Sequence, residues 1–225
     1  MTSVPKISVL MAVHDGQKYL KEAIDSILSQ SFADFELIII DDESEDATPD
    51  IIRSYDDPRI IYLRITHGGL VTALNHGFAH ARGEYIARMD ADDRAIASRF
   101  ELQVAHLDAH PDIDVLCSDI YTIDATGARS GEQVQHGMDN DMLRDGLLGR
   151  RPMKPIIHPS VMMRRRVLEE LGGYRHFNYA EDHDLWMRAV DRFSFARLEQ
   201  FLLEYRVYGG GISRTKGKVR PLLRR

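Results

Sequence analysis

Blocks of apolar and mixed residues alternate along the first 95 positions of the chain. The apolar blocks have the length of buried strands, and between them apolar residues recur every three or four positions, as in amphipathic helices. The pattern predicts strands at 6–14, 35–40, 60–63 and 84–89, and helices at 20–28, from about 46, and at 70–81. Strand and helix in alternation predict an α/β fold with a mostly parallel central sheet and helices on both faces.

The second half of the chain is less regular. Phe100, Val104 and Leu107 predict a helix that leads to a strand over 113–118. The pattern then loosens over 121–138, and the basic segment 149–155 reads as a loop. Further helices are predicted around 167–171 and from Glu181, where acids lie at the positively polarised helix N-terminus.

Acidic residues follow three of the predicted strands, as His14-Asp15, Asp41-Asp42 and Asp90-Ala91-Asp92-Asp93. Because the carboxyl ends of parallel strands share one edge of a sheet, these groups should converge there. Side chains alternate along a strand, so Asp90 and Asp92 should point the same way. Carboxylates on one side suit Mg²⁺ or Mn²⁺, whereas the simpler alternative is an acidic turn that ends a strand.

Composition and charge exclude several classes of function. A net charge of -6 argues against a broad nucleic-acid surface, and the single Cys117 excludes a disulfide framework and a cysteine metal cluster. No apolar run approaches the roughly 20 residues that span a bilayer, which predicts a cytoplasmic protein. The basic segment 214–225 is either a peripheral contact with anionic membrane at the inner face of the cell membrane or a solvated end.

Four motifs resemble those of the family 2 glycosyltransferases, inverting enzymes of the GT-A fold. They are Ile7 to Asp15, Ile38 to Thr48, Ala81 to Asp93, and Glu181-Asp182-His183-Asp184-Leu185-Trp186. The resemblance runs from about Lys6 to Ser213, and the motifs keep their order along the chain. It implies one domain over 1–213, with a donor-nucleotide half at about 1–95 and an acceptor half at about 96–213.

The resemblance implies how the donor half is used. Asp92 would be a ligand of Mn²⁺ or Mg²⁺, with Asp90 on the metal through water or, beside Ala91, on the ribose and donor sugar. Asp42 would accept a hydrogen bond from the nucleobase. The backbone of Ala12 and Val13 would lie along the base, and Asp15 stands where many relatives carry an asparagine.

In the acceptor half, the resemblance makes Asp182 the general base for the acceptor hydroxyl, and Glu181 would orient the acceptor or the loop. His158 either lines the acceptor side or is a loop histidine, and Trp186 either stacks on a sugar or packs in the core. Tyr208 stands where relatives often have a histidine, so Arg206, Ser213 or Arg214 would hold the diphosphate instead.

The expected activity is transfer of a sugar from a nucleotide-sugar donor to a glycan, lipid-linked or polymer acceptor. Three alternatives stay open. A receiver domain of the response-regulator type would share the strand that ends at Asp41-Asp42, and Lys154-Pro155 resembles its later Lys-Pro pair. A glycosidase would use two carboxylates without a metal. An inactive GT-A module would bind donor without turnover.

Overall fold

The computed structural model describes residues 4–134, 140–152, 156–177 and 180–209. Its strands are β1 Ile7–Val13, β2 Phe35–Asp42, β3 Ile60–Ile65, β4 Tyr85–Asp90, β5 Arg94–Ala95, β6 Val115–Ile123, β7 Arg129–Gln133, β8 Met162–Arg164 and β9 Phe195–Arg206. Its helices are α1 Leu20–Leu28, α2 Thr48–Arg53, α3 Leu70–His80, α4 Arg99–Ala109, α5 Asn140–Leu147, α6 Arg165–Leu171 and α7 Glu181–Ala189, and His158–Ser160 forms one 3₁₀ turn.

The strands form one sheet in the order β3-β2-β1-β4-β8-β6-β9-β5, and β7 pairs with β6. Strands β1 to β4 are mutually parallel where they pair, as the alternating pattern predicts. Strand β8 is antiparallel to both of its neighbours, β4 and β6, and β9 returns to a parallel pairing with β6. One sheet therefore includes strands from both predicted halves of the chain.

The central strands are buried on both faces because their side chains alternate between two hydrophobic clusters. Leu10 of β1 and Ile38 of β2 join a cluster with residues of α3, α5, α6 and α7. Val9 and Leu37 join a second cluster with residues of α1 and α4. Helices thus cover both faces of the sheet, which confirms the predicted α/β fold class.

The second half departs from the predicted pattern in several places, because α5 and β8 were not predicted and two larger differences concern β6, β7 and β9. Strand β6 continues to Ile123 and turns back as β7 through a segment predicted to be irregular. The 12-residue strand β9 was not predicted at all. Its sequence mixes apolar and charged residues, and its register against β6 shifts near Asp119, so no regular alternation marks it.

Register places the candidate site at one edge of this sheet. Val13 at the end of β1 pairs with Asp41 of β2, and Ala12 pairs with Asp90 of β4. The ends of β2 and β4 therefore flank the end of β1, as parallel pairing predicts.

Candidate functional site

Asp90, Asp92 and Asp93 each offer a carboxylate oxygen within 4.8 Å of the others. Strand alternation predicts that Asp93 points away from this group, but β4 ends at Asp90 and the following residues turn. The turn brings Asp93 into the cluster, where it is buried and accepts a hydrogen bond from the backbone N–H of Arg206 at 2.7 Å. Its Oδ2 is buried without a hydrogen-bond partner among the described residues.

The acidic cluster is electrostatically unfavourable without a cation. Burial and the neighbouring charge of Asp90 raise the pKa of Asp92 to about 6, although a hydrogen bond from the Tyr208 hydroxyl opposes the rise. Burial, Asp90 and Asp92 likewise raise the pKa of Asp93 well above its usual value. Both shifts express the cost of placing several negative charges together in a poorly hydrated site, which a divalent cation would offset.

Arg206 is not placed to hold a diphosphate, contrary to the expectation from the sequence. Its side chain is fully buried, and its three guanidinium nitrogens already donate to protein oxygens. Nε donates to the carbonyl of Asp92 at 2.7 Å, Nη1 to that of Asp124 at 3.2 Å and Nη2 to Glu22 at 2.7 Å. The guanidinium also lies over the ring of Tyr19, 4.1 Å from its centroid. Arg206 therefore holds the turn at residues 90–93 in place and has no guanidinium nitrogen left for a phosphate.

Arg88 connects the acidic cluster with the start of α7, although no role was assigned to it from the sequence. Its side chain is buried, and Nη2 lies 2.6 Å from Oδ1 of Asp90. Nε and Nη1 are also buried and have no hydrogen-bond partner within the described part of the chain. Arg88 acts electrostatically on Glu181 and Asp182 as well, which makes it a cation shared by both groups of acids.

Glu181 and Asp182 open helix α7 as predicted. Burial raises the pKa of Asp182, and the charge of Asp90 adds to the rise, while the backbone N–H of His183, 2.7 Å from Oδ1, and Arg88 oppose it. Burial also raises the pKa of Glu181, and its neighbours Asp182 and Asp90 act in the same direction. The negative charge of Asp90 therefore contributes to the raised pKa of both acids.

His158 and Trp186 are parts of the packed interior. His158 Nε2 lies 3.0 Å from the Tyr174 hydroxyl and Nδ1 3.9 Å from Glu181, and burial with the nearby charge of Arg88 keeps the pKa of His158 well below its usual value. Trp186 is 2% exposed and packs edge-on against His158 and Phe195. The sugar-stacking role considered for Trp186 is therefore wrong, because its ring faces no open space.

The donor-side residues named from the sequence lie around the ends of β1 and β2. Asp42 is buried, and its Oδ1 and Oδ2 accept hydrogen bonds from the backbone N–H groups of Gly68 and Gly69 at 2.8 and 2.9 Å. Asp15 is exposed and has a positive φ of 50°, and its Oδ1 accepts from the N–H of Glu45 at 2.9 Å. Asp15 therefore joins the loop after β1 to the loop after β2.

The other named positions lie near these groups or outside the described residues. Ala12 is partly buried and Val13 is buried at the end of β1, and Ala91 is partly buried in the acidic turn. Ser213, Arg214, Lys154-Pro155 and the basic segment 214–225 lie outside the described residues. In the part of the chain that the structure describes, no helix has the length and apolar character needed to cross a bilayer.

Comparison with known proteins decides the family. The sequence pattern described as "Glycosyl transferase family 2" matches residues 8–172, which include the acidic cluster and the strands around it. The chain belongs to this family. The match also rejects the receiver and glycosidase alternatives. The structure speaks against the receiver as well, because Asp41 is fully buried and accepts hydrogen bonds from the Tyr62 hydroxyl and the backbone N–H of Ser44.

Several curated relatives align over most of the chain. A putative glycosyltransferase EpsE of Bacillus subtilis is 36% identical over 196 residues, which cover 84% of this chain and 68% of that protein. The O-antigen biosynthesis glycosyltransferase WbnJ of Escherichia coli is 33% identical over 213 residues, which cover 90% of this chain and 80% of that protein. These relatives identify the chain as a glycosyltransferase.

Solved structures share its fold. TarS of S. aureus, in complex with UDP-GlcNAc, superposes with a TM-score of 0.76 at 21% identity over 92% of this chain. Mannosyltransferase PcManGT of Pyrobaculum calidifontis, in complex with GDP-Man and Mn²⁺, gives 0.70 at 21% identity over 93% of this chain. The present chain spans about 60% of each of these structures. The likeness confirms the predicted GT-A fold.

Proposed function

We propose that this family 2 chain transfers a sugar from a nucleoside-diphosphate sugar to a hydroxyl group of a glycan, lipid-linked or polymer acceptor, with inversion at the anomeric carbon. One observation supports the proposal: the buried Arg88 lies 2.6 Å from Asp90 of the acidic cluster, and both residues act electrostatically on Glu181 and Asp182 at the start of α7. In this proposal the acidic cluster would hold the metal and Asp182 would be a separate base in the same site, which is the arrangement that an inverting displacement requires.

The residues present fit a bound Mn²⁺ or Mg²⁺. Asp90, Asp92 and Asp93 supply closely spaced oxygen ligands, and Asp93 Oδ2 is buried without a hydrogen-bond partner among the described residues. Asp92 would bind the metal directly, with Asp90 on the metal or on the donor ribose and sugar. The ion would offset the charge that develops on the departing diphosphate.

Asp182 would act as the general base. Its carboxylate would take the proton of the acceptor hydroxyl while that oxygen bonds to the anomeric carbon and the bond to the diphosphate oxygen breaks. Glu181 would orient the acceptor, and Arg88 would keep Asp182 ionised by opposing the effect of burial. Because base and leaving group lie on opposite faces of the sugar, the product has the inverted configuration.

The relatives support the substrate classes. TarS binds UDP-GlcNAc and PcManGT binds GDP-Man, which supports a nucleotide-sugar donor, and WbnJ acts in O-antigen biosynthesis, which supports a cell-envelope glycan as acceptor. Asp42, with the backbone of Ala12 and Val13 and the adjacent Asp15, would receive the nucleobase. The basic segment 214–225 would bring the enzyme to an anionic membrane surface where a lipid-linked acceptor lies.

A donor screen tests this function. The purified chain is heated with UDP-, GDP- and dTDP-sugars, with and without Mn²⁺, and the stabilising donor is then assayed for transfer to candidate acceptors. We expect stabilisation only when metal and the correct nucleotide are both present, and NMR of the product should show inversion at the anomeric carbon. Binding without transfer or donor hydrolysis would instead support the inactive module, and a retained configuration would reject the base role of Asp182.

A further inference from the structure

A second cluster of metal-ligating side chains lies beside the carboxylate site. His14 follows β1, Asp42 ends β2 and His67 follows β3, and these three strands are adjacent in the sheet. Each of the three residues offers one ligand atom within 4.8 Å of the others, and the two imidazole centroids are 4.5 Å apart. The sheet therefore gathers two histidines and a carboxylate that are far apart in sequence.

One backbone carbonyl fixes both imidazoles. Nδ1 of His14 lies 2.8 Å and Nδ1 of His67 3.2 Å from the carbonyl oxygen of Asp42. Because a carbonyl oxygen only accepts hydrogen bonds, Nδ1 of His14 must carry the proton, and its neutral ring keeps the lone pair on Nε2. Metal-binding histidines are commonly held in this way, with the second ring nitrogen donating to a carbonyl or carboxylate. Nδ1 of His67 lies closer to Oδ2 of the Asp42 carboxylate, at 3.0 Å, so an ion shared by that nitrogen and that oxygen would displace the Nδ1 proton.

The carboxylate of Asp42 is also held in place before any ion binds. It is buried, and the N–H groups of Gly68 and Gly69 each donate to one of its oxygens. Oδ1 keeps a second lone pair for a further partner, whereas Oδ2 already lies 3.0 Å from Nδ1 of His67. Asp15 Oδ2, 3.7 Å from His14 Nε2, adds negative charge at the edge of the cluster. The arrangement therefore favours a cation.

We propose that His14, Asp42 and His67 form a binding site for Zn²⁺ or a similar transition-metal ion. Imidazole ligands favour such ions, whereas the carboxylate cluster of Asp90, Asp92 and Asp93 favours Mg²⁺ or Mn²⁺, so the two sites differ in selectivity. Two ligand atoms on a tetrahedral zinc lie about 3.4 Å apart, given bonds of about 2.1 Å. The half-exposed imidazoles can close the remaining distance by small rotations.

A consequence follows that rests on the proposed function. Asp42 is the group assigned to the nucleobase, so an ion held by Asp42 and the two imidazoles would occupy the space of the base. Zinc and the nucleotide would then exclude one another, although the carboxylate cluster would remain open to Mg²⁺ or Mn²⁺. Donor binding would therefore be sensitive to zinc.

The test must separate this site from two other histidine pairs. His76 and His80 on α3, and His106 and His110 on α4, have ring centroids 4.8 and 4.3 Å apart and can also bind zinc through two rings. The full chain carrying His80→Ala and His110→Ala serves as the background. ZnCl₂ is titrated into it calorimetrically, without nucleotide and with excess Mg²⁺ to fill the carboxylate cluster.

We expect one Zn²⁺ per chain in this background, and an affinity at least about tenfold weaker after His14→Ala or His67→Ala. Both imidazoles are exposed enough for truncation to leave the fold intact, which the unfolding temperature without metal checks. Equal zinc affinity with and without His67 would overturn the proposed site.

Competition between Zn²⁺ and nucleotide then tests the metal site separately from the assignment of Asp42 to the nucleobase. Affinity for UDP and GDP is measured with Mg²⁺, in the presence and absence of Zn²⁺, for the background and for its His67→Ala variant. With Zn²⁺ at about ten times its own Kd, competition should weaken nucleotide binding about tenfold in the background only. Zinc bound at the cluster with unchanged nucleotide affinity would keep the metal site and reject the base position assigned to Asp42.

Discussion

The Nε atom of Arg206 donates to the carbonyl oxygen of Asp92 at 2.7 Å, although the two residues are 114 positions apart in the chain. The backbone N–H of Arg206 also donates to Asp93 at 2.7 Å. The end of β9 therefore fixes the acidic turn through two hydrogen bonds to adjacent residues. The geometry of the proposed metal site therefore depends on a strand that supplies none of its three carboxylates.

Arg206→Lys should weaken metal-dependent donor binding. An ammonium group cannot reach Asp92, Asp124 and Glu22 together, so buried carbonyl groups lose their donors, at a cost of about 1–3 kcal/mol in the free energy of unfolding. The loosened turn should raise KM for the donor more than it lowers kcat. Steady-state kinetics over a Mn²⁺ series measures both effects.

Arg197→Lys is the matched control for this change. Arg197 lies on the same strand and forms a two-hydrogen-bond ion pair with the buried Asp119, at 2.9 and 3.0 Å, away from the acidic cluster. It should lower the unfolding temperature while KM for the donor stays unchanged. If both substitutions raise KM equally, Arg206 acts only through overall stability.

Asp182→Asn should lower the transfer rate by about 10²–10⁴-fold, since the amide cannot accept the acceptor proton. Metal-dependent donor binding should be retained, because Asp182 is not part of the acidic cluster. Single-turnover transfer and calorimetric donor binding separate the two quantities. Near wild-type turnover would reject the assignment of the base.

Asp184→Asn is the control on the same helix. The ion pairs of Asp184 with Arg175 and Arg188, at 2.6 and 2.8 Å, overcome the effect of burial and hold its pKa below the usual value. This substitution should therefore lower the unfolding temperature while leaving the chemical step intact. A large loss of kcat from Asp184→Asn would mean that removal of any carboxylate at the start of α7 impairs transfer, so the effect of Asp182→Asn would not identify Asp182 as the base.

Regular local patterns predicted much of the first 95 residues. Apolar runs located β1, β2 and β4, and pairing of parallel strands then brought Asp41 and Asp90 to one edge. The interactions of Arg88 and Arg206 were not predictable in this way, because a buried arginine on a strand has no sequence signature of its partners. The predicted direction of the Asp93 side chain was wrong, because the alternation of side chains along a strand was applied to residues beyond the end of β4.

Transfer should slow as pH falls through the pKa of Asp182, which burial raises above the usual 3.8. Below that pKa the carboxyl group is protonated and cannot accept the proton of the acceptor, so the acid side of the kcat profile reports its titration. Measurement of kcat at saturating donor and metal isolates this group. A profile of Asp182→Glu with an unchanged acid limb would assign the titration to another residue.

Asp92→Ala should abolish the stabilisation that donor and Mn²⁺ give together, a contribution of about 2.7 kcal/mol when a ligand is present at 100 times its Kd. Asp25→Ala, which removes an exposed carboxylate on α1, should leave that stabilisation unchanged. In the wild type, apparent Mn²⁺ affinity should fall as pH drops through about 6, because the raised pKa of Asp92 makes protons compete with the ion. Thermal shifts measured across pH test both expectations. Mn²⁺-dependent stabilisation that survives Asp92→Ala would place the metal elsewhere.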